Sequence, residues 1–331
     1  MRIVRLPDTG NAHSSGESDP IVGVAIGNFD GCHLGHEALI TELERETARV
    51  AAEGGGNPIK TVLTFSPHPR IGLQIAKGQL SLTQLREHSE LWPIFPFRER
   101  VTQISERGID RLFIARFSKA FASLSPEQFV SLYLHDALKA RVVVVGDDWR
   151  FGKGRAGNVE LLQDYGKRFG FEVHVVPPVL LDGKRVSSTT IKASLAIGDI
   201  VSVSRLLGRS YELAGRVVHG AGRGKSISVP TANLMLGRRV LPLDGVYVSR
   251  VVLGGELLPA VTNIGTQPTF NGATRRVEVH ILDRELKLYD KRISVQLIDR
   301  IRGEKKFADV QQLKNQIAED ILKARDVLRH K

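Results

Sequence analysis

Short apolar runs alternate with segments of helical apolar spacing over the first 208 residues of this chain. Buried strands are predicted at residues 21–26, 61–65, 111–115, 142–145 and 172–176, and helices at 37–52 and 126–138. The second helix begins with a capping box, Ser125 to Gln128, that has Pro126 at its first helical position. Strands that alternate with helices predict an α/β fold with a doubly wound, Rossmann-type parallel sheet.

The pattern changes after residue 209, where short β-rich runs are separated by Gly, Pro and Asn. A small antiparallel β-barrel is predicted from the runs at 213–218, 246–253, 258–261, 276–281 and 293–298. A closing amphipathic helix is predicted over 307–328, with an apolar stripe of Val310, Leu313, Ile317, Ile321 and Leu328. We therefore expect two domains, 1–208 and 209–331.

Composition narrows the class of protein. The chain has 331 residues and a net charge of +11, and residues 210–331 contain 21 Lys and Arg against 13 Asp and Glu. This excess suits polyanionic ligands, either nucleotides or RNA, but no RNA-binding signature accompanies it. Cys32 is the single cysteine, and there is neither an apolar run near 18 residues nor a secretory signal. We therefore expect a cytoplasmic protein without a membrane span.

The turn at residues 27–36 joins the first strand to the first helix and contains His33, Gly35 and His36. A helix N-terminus attracts anions, because its first N–H groups are unpaired and the helix dipole is positive there. Glycine at 35 lets the backbone approach a ligand without a Cβ in the way. The turn therefore predicts an anion site. It resembles the nucleotidylyltransferases, whose His-x-Gly-His motif follows a first strand and holds the phosphates of ATP, and this resemblance implies phosphate chemistry on a nucleotide.

Two alternative roles for the histidines of this turn stay open. His33 and His36 could be metal ligands, with Asp30 and His68 completing the site, or they could be structural caps without chemistry. Cys32 beside His33 could be a nucleophile. We favour a small buried residue at that position, because adenylyl transfer to an anionic acceptor requires no thiolate.

Three further polar motifs follow predicted strands or open a helix. His68 lies between two prolines after the second strand, the polar and aromatic loop 146–152 follows the fourth, and residues 187–192 place hydroxyl groups and a lysine at a helix start. Ligands bind beyond the carboxyl ends of the strands in such sheets. Each motif alone could be a cap, a turn or a solvated acidic pair, but together they favour a binding site at that edge.

The second half contains its own candidate residues. The loop 220–226 ends like a Walker A motif, but His219 stands where that motif needs glycine and β-type sequence follows, so we expect a different phosphate loop. Thr231 and Asn233 offer oxygen ligands of the kind that Mg²⁺ accepts. Glu278 alternates with apolar neighbours, so it is either a solvent-facing strand residue or a functional carboxylate.

Taken together, these motifs make the chain similar to the bacterial bifunctional riboflavin kinases/FAD synthetases, from about residue 21 to 328. The matching segments of the first half are 27–36, Pro-His-Pro at 67–69, 146–152 and 187–191. Those of the second half are the glycine loop 220–224, Pro-Thr-Ala-Asn at 230–233, 263–270 and Glu-Val-His at 278–280. Their order and joint presence make the match specific.

The resemblance implies two reactions. The N-terminal domain would transfer AMP from ATP to FMN, giving FAD and pyrophosphate, and the barrel would phosphorylate riboflavin with ATP and Mg²⁺, giving FMN. ATP in the first reaction would be bound by Gly27, Asn28, Phe29, Asp30, His33, Gly35, His36, Ser187, Ser188, Thr189 and Lys192, with His33 and His36 also catalytic. The flavin would be bound by Pro67, His68, Asp147, Asp148, Trp149 and Phe151. In the kinase, Glu278 would be the base, Thr231 and Asn233 would hold the metal, and the substrates would contact Gly220, Gly222, Arg223, Gly224, Lys225, Asn263 and Phe270.

Three residues depart from the pattern of that family. Trp149 replaces the usual phenylalanine, Lys192 stands where arginine is common, and Asn158 replaces a frequent aspartate. A lysine is a point charge rather than a two-pronged donor, so we expect a weaker adenylyl transfer than is typical. Two alternatives remain, a riboflavin kinase with a weakened first module and an RNA-binding or regulatory protein on the same fold. We expect small-molecule partners, no nucleic acid, and a monomer or weak self-association.

Overall fold

The computed structural model of the protein describes residues 1–5, 20–81, 84–86, 88–219, 229–269, 272–284 and 286–330. The segment 8–19, predicted to be a mobile loop, and the glycine loop 220–224 lie outside these residues. The chain divides into two compact units, Met1–Val186 and Ser187–Lys331. The domain boundary after residue 208 stays a prediction. Within the described ranges, no helix has both the length and the apolar character needed to cross a membrane.

A six-stranded parallel sheet forms the centre of the first unit. Its strands are β1 (Arg2–Arg5), β2 (Ile21–Ile26), β3 (Pro58–Ser66), β4 (Arg111–Arg116), β5 (Ala140–Gly146) and β6 (Glu172–Val176). They pair in the order β1-β4-β3-β2-β5-β6. The five predicted strands are confirmed. A short hairpin follows β6, formed by β7 (Leu180–Leu181) and β8 (Lys184–Arg185).

Helices connect the strands. They are α1 (Leu34–Gly54), α2 (Pro69–Ala76), α3 (Phe97–Ser105), α4 (Lys119–Ala122), α5 (Pro126–Phe129), which continues as a π-helical segment (Val130–Ala137), and α6 (Val159–Phe169). Short 3₁₀ turns lie at Gln84–Arg86, Ser89–Leu91 and Lys153–Arg155. The predicted capping box is confirmed, since Gln128 N–H donates to Ser125 Oγ at 3.1 Å and Ser125 N–H donates to Gln128 Oε1 at 2.9 Å.

Side-chain alternation along the strands fills two cores, one on each face of the sheet. Val143 of β5 packs in the core that includes residues of α5 and α6, whereas Val144 packs in the core that includes residues of α1 and α3. Phe113 and Leu112 of β4 divide between the two cores in the same way. A parallel sheet is buried on both faces when helices cover both, so the doubly wound fold is confirmed.

The order of the strands reverses at β2. Strands β3, β4 and β1 lie on one side of it, and β5 and β6 lie on the other. Parallel sheets bind ligands at such a reversal, beyond the carboxyl ends of the strands. Gly23 lets α1 lie directly on β2, because a Cβ at this position would be 1.8 Å from Thr47 Oγ1. Because β2 and β5 are parallel neighbours, the turn after β2 and the loop after β5 lie side by side at the predicted edge.

The second unit is a closed antiparallel barrel with helices. Its strands are β9 (Tyr211–Val218), β10 (Ala232–Leu236), β11 (Gly245–Leu253), β12 (Glu256–Thr269), β13 (Gly272–Ile281) and β14 (Arg292–Arg302), in the order β10-β13-β12-β11-β14-β9. The predicted barrel is confirmed. Strand β12 extends beyond the run 258–261, because β13 pairs with its polar continuation as far as Thr269.

Two helices, α7 (Ser188–Ile197) and α8 (Ile200–Leu207), come before the barrel strands and pack with each other. Leu243 N–H donates to Leu195 O at 2.8 Å, which ties the segment before β11 to α7. Val203 and Leu206 of α8 are buried, and α8 contacts β9 and β14. The helix pair is therefore part of the compact unit that contains the barrel.

The terminal helix, α9 (Val310–His330), packs through most of the predicted stripe and through a buried ion pair. Val310 is exposed, and the buried positions are Asp320 and Ala324. Arg302 of β14 donates to both carboxylate oxygens of Asp320, with Nη2 at 2.7 Å from Oδ2 and Nε at 3.0 Å from Oδ1. Leu313, Ile317, Ile321 and Leu328 of the predicted stripe are partly buried, and an ion pair that the stripe did not predict occupies the most buried turn.

Candidate active sites

The turn after β2 has an unusual backbone. Phe29 and Cys32 adopt positive φ angles of 50° and 42°, and Gly31 between them has a φ of 95°. Phe29 is buried beneath the turn, and the Cys32 thiol donates to Phe29 O at 3.4 Å. Left-handed non-glycine residues persist only where the surrounding structure holds them. The buried position of Cys32 agrees with a packing role rather than that of an exposed nucleophile.

His33 and His36 lie together at the start of α1. His33 N–H donates to His36 Nδ1 at 3.3 Å, and the two rings stack with their centroids 3.8 Å apart. Phe29 stacks on the other side of His36 at 4.8 Å. Since Nδ1 of His36 accepts, its neutral ring has the proton on Nε2. A Cβ at Gly35 would be 3.2 Å from the His33 ring, so glycine makes room for this ring over the first helical turn.

Arg100 of α3 holds the turn from below, and no sequence motif indicated it. Its Nη1 donates to Asn28 O at 2.8 Å and its Nη2 to Phe65 O at 3.5 Å, so one guanidinium joins the ends of β2 and β3. Burial lowers the pKa of Arg100, whereas the charge of Asp30 raises it. Asp30 is itself buried and accepts from Ile94 N–H at 2.8 Å. Arg100 could not be recognised from the sequence, because an arginine in an amphipathic helix normally faces solvent.

A metal-binding role for the two histidines receives no support from the geometry. Among the described residues, ligand atoms converge at Glu42, Glu46 and His174, a different place in the first unit. Even there, arginines already neutralise the carboxylates, with Arg45 Nη2 2.9 Å from Glu46 Oε1 and Arg49 Nε 2.7 Å from Glu46 Oε2. We therefore describe that group as an ion-pair network.

The motifs after β3 and β5 occupy the same edge of the sheet. His68, which follows Pro67, caps α2, and its Nδ1 accepts from Arg70 N–H at 3.2 Å. Asp147 and Asp148 follow β5 and share Arg185 of β8, whose Nη2 is 3.0 Å from Asp148 Oδ1. The acidic pair is thus partly neutralised rather than simply solvated.

Trp149 and Phe151 form an aromatic wall beside these acids. Their rings stack 4.5 Å apart, and Phe129 of α5 contacts both. Phe151 is buried, while Trp149 is partly exposed at the edge of the core. Asn158, another departure from the family pattern, caps α6 by accepting from Leu161 N–H at 3.0 Å. Both departures therefore have a structural function in this chain.

The hydroxyl cluster at 187–190 belongs to the second unit. Ser187 caps α7, since its Oγ accepts from Thr190 N–H at 3.1 Å and lies 2.8 Å from Thr190 Oγ1. Ser188 and Thr189 form the first turn of α7, and Lys192 follows one turn later. The predicted helix start is confirmed. The assignment of these residues to ATP stays a prediction.

A row of polar side chains crosses three strands of the barrel. Asn233 of β10 lies opposite Glu278 of β13, and Glu278 lies opposite Asn263 of β12. All three are partly exposed, whereas neighbouring Leu234 and Val277 are buried. Opposite residues of paired strands project to the same face, so the row lies on the face turned away from the core of the barrel.

The row fits a divalent cation. Oδ1 of Asn233 is buried and meets no hydrogen-bond donor among the described residues. A buried acceptor without a donor is costly, and a bound cation would satisfy it. Thr231, two residues before Asn233, comes directly before β10. The other residues that the resemblance assigns to the kinase substrates lie outside the described residues, namely Gly220, Gly222, Arg223, Gly224, Lys225 and Phe270.

Comparison with known proteins finds a family match for each half of the chain. The FAD synthetase family model matches residues 17–190, and the riboflavin kinase family model matches residues 207–328. The chain is 39% identical over 304 residues to the bifunctional riboflavin kinase/FMN adenylyltransferase of Escherichia coli K12, covering 92% of this chain and 91% of that protein. It is 37% identical to the protein of the same name from Pseudomonas fluorescens, covering 91% of each.

A solved structure is similar over the whole chain. It is described as a macrolide-efflux protein from Streptococcus pneumoniae, with 32% identity, a TM-score of 0.81, and coverage of 98% of this chain and 99% of that one. The order of the two family matches makes the chain a transferase with two modules. It belongs to the bifunctional riboflavin kinase/FMN adenylyltransferase family.

Proposed function

We propose that this chain makes FAD from riboflavin in two steps, using its barrel for the first and its parallel sheet for the second. The polar row on the barrel supports the first step most directly, because it places a carboxylate beside a buried amide oxygen that lacks a donor among the described residues. The histidine turn at the strand reversal supports the second step. ATP is a substrate of both, and riboflavin, FMN and FAD are substrates or products.

In the kinase step, the terminal hydroxyl of the ribityl chain attacks the γ-phosphorus of ATP. The new O–P bond forms as the bond to ADP breaks, and the hydroxyl proton passes to the carboxylate of Glu278. Thr231 and Asn233 would hold Mg²⁺ through their side-chain oxygens, and the ion would neutralise charge on the phosphates. Asn263 borders Glu278 and is suited to orient a substrate.

In the adenylyl transfer, a phosphate oxygen of FMN attacks the α-phosphorus of ATP and pyrophosphate leaves. FMN is already an anionic nucleophile, so this step needs charge stabilisation and alignment rather than a base. His33 and His36 supply donors at a helix N-terminus, and the Trp149 ring beside Asp147 and Asp148 supplies a surface for the flavin.

The first experiment tests the kinase with Glu278→Gln. Glutamine keeps the shape of the side chain but cannot accept the proton, so FMN formation should fall by about 10²–10⁴-fold. FAD formation from added FMN should continue. Glu256→Gln is the matched control, because Glu256 is an exposed glutamate of the same barrel that pairs with Arg284 at 2.8 Å. FMN production near the wild-type rate by Glu278→Gln would make Glu278 an ordinary strand residue.

The second experiment tests the sheet with His36→Ala. FAD formation should fall about a hundredfold, the size of effect expected when one charge-stabilising donor is lost, while FMN formation persists. His135→Ala serves as control, since His135 is an exposed histidine of the same unit that contacts Asp136. Equal loss of both activities in a folded His36→Ala protein would contradict the assignment.

We further propose that the chain requires Mg²⁺, works in the cytoplasm and is a monomer or a weakly associating protein. The single cysteine supports a location in the cytoplasm. The oxygen ligands beside a carboxylate support the Mg²⁺ requirement. Omission of Mg²⁺ and sedimentation at several protein concentrations test the metal requirement and the oligomeric state.

A further inference from the structure

We propose that His280 is a positioning residue of the kinase site, which it serves by holding the segment that presents Thr231. The inference rests on the proposed riboflavin kinase function. His280 Nδ1 lies 2.8 Å from the carbonyl oxygen of Pro230. A carbonyl only accepts, so Nδ1 is the protonated ring nitrogen in this contact.

The strand register puts His280 in the right place. Ala232 lies opposite Val279, and Asn233 lies opposite Glu278. Continuing this antiparallel register by one residue places Thr231 opposite His280. Side chains alternate along a strand, so His280 shares a face with Glu278, whereas Val279 between them is only 1% exposed. The two candidate metal ligands, Thr231 just before β10 and Asn233 within it, therefore lie opposite His280 and Glu278 of β13.

Thr231 needs such support because the ladder does not yet hold it. Strand β10 begins at Ala232, and Pro230 has no N–H with which to pair. The carbonyl of Pro230 belongs to the peptide that joins Pro230 to Thr231, and His280 is a donor that holds this peptide. Loss of that donor would let the backbone at Thr231 move more freely, so its hydroxyl would be held less firmly. The strand pairing that connects Asn233, Glu278 and Asn263 would stay intact.

The His280 ring also lies near charged groups of the same unit. Asp283 forms an ion pair with Arg325 of α9, with Oδ1 and Nη2 2.6 Å apart. The hydrogen bond from Arg325 lowers the pKa of Asp283, and the charge of His280 lowers it further. The contact between His280 and Pro230 therefore connects a loop that is fixed to the terminal helix with the segment that leads into β10.

The test uses three variants of the full chain. His280→Asn places an amide nitrogen near the position of Nδ1 and can donate to Pro230, whereas His280→Gln places it near Nε2 and cannot. His280→Ala removes the donor altogether. Two readouts are compared, the Mg²⁺ dependence of FMN formation and the hydrogen exchange of peptides that cover 229–236. FAD formation from added FMN is the internal control.

We expect the alanine and glutamine variants to need about tenfold more Mg²⁺, as is typical when a group that orients metal ligands is lost. Their exchange at 229–236 should be faster, while the asparagine variant stays close to wild type in both readouts. Equal behaviour of the asparagine and glutamine variants, or wild-type behaviour of all three, would overturn the inference alone. A wild-type chain that makes no FMN would overturn the proposed function and the inference with it.

Discussion

Arg100→Met should destabilise the first unit, because Arg100 is a charged group buried among backbone carbonyls. Only 6% of the residue is exposed, and it donates to Asn28 O and Phe65 O. Asp30, 1% exposed, is the carboxylate whose charge raises the pKa of Arg100 against the effect of burial. Methionine fills much of the volume but leaves both carbonyls without this donor and Asp30 without this cation.

The size of the effect follows from the donors that are lost and the charge that remains. A hydrogen bond from a charged group typically contributes about 1.5–3 kcal/mol, so the loss of both should cost about 3–5 kcal/mol, and the buried carboxylate of Asp30 stays charged without this nearby cation. Asp30→Asn removes that charge and keeps an oxygen that accepts from Ile94 N–H. The double variant with Arg100→Met should therefore cost less than the sum of the single changes, by about 1–3 kcal/mol.

The two tryptophans make the assay specific to one unit. Trp92 and Trp149 both lie in the first unit, so their fluorescence in urea follows its unfolding without a signal from the barrel. With a slope of about 2 kcal/mol per M, a loss of about 4 kcal/mol lowers the midpoint by about 2 M. FMN formation by the folded variant serves as the control for the second unit.

Two results would refute this reasoning. A change in unfolding free energy below about 0.5 kcal/mol for Arg100→Met would place it among ordinary surface substitutions. Strict additivity with Asp30→Asn would mean that the two charges do not stabilise each other.

Further predictions concern other contacts. Gly23→Ala should lower the unfolding free energy of the first unit by about 1–3 kcal/mol in the same urea titration, because the new Cβ would clash with Thr47 Oγ1 of α1. Adding Thr47→Ala should recover most of this loss. An unchanged unfolding free energy for Gly23→Ala would contradict the prediction. A hydrogen bond from Arg49 lowers the pKa of Glu46 in the folded protein below its ordinary value of 4.5. The ionised Glu46 therefore stabilises the fold fully above pH 4.5, and this stabilisation is lost as the pH falls through the pKa of the folded state. Glu46→Gln should therefore flatten the acid side of the urea stability profile, and an unchanged profile would count against the linkage. Asp320→Asn should weaken the attachment of α9 and hasten heat inactivation of FMN formation, while equal loss of FAD synthesis would argue against a local effect.

Much of the fold could be predicted from hydropathy alone. Strands of a parallel sheet are buried on both faces, so β2 and β5 appear as continuous apolar runs. The edge strand β1 has only Ile3 and Val4 between two arginines, which is too short to form a pattern. The terminal helix was predicted from its apolar stripe, but its buried Asp320 was not, because a carboxylate in an amphipathic helix normally faces solvent.

The candidate sites could be predicted only where their residues are close together in sequence. His33 and His36 are three residues apart and shaped by Gly35, so the motif itself indicates a site. Arg100 reaches the same turn from α3, and His280 reaches Pro230 from another strand. Such contacts depend on tertiary packing, and no local pattern of residues announces them.

The position of β2 also determines when the first unit can assemble during synthesis. This central strand can pair with β3 soon after β3 is made. Its other edge stays unpaired until β5 is translated, roughly a hundred residues later. At about 5–20 residues per second, that edge stays open for on the order of 5–20 s on a ribosome. An apolar strand with an unpaired edge is prone to associate with other chains. We therefore expect nascent chains that stop before β5 to need a chaperone, while those that extend past Gly146 can bury the strand themselves.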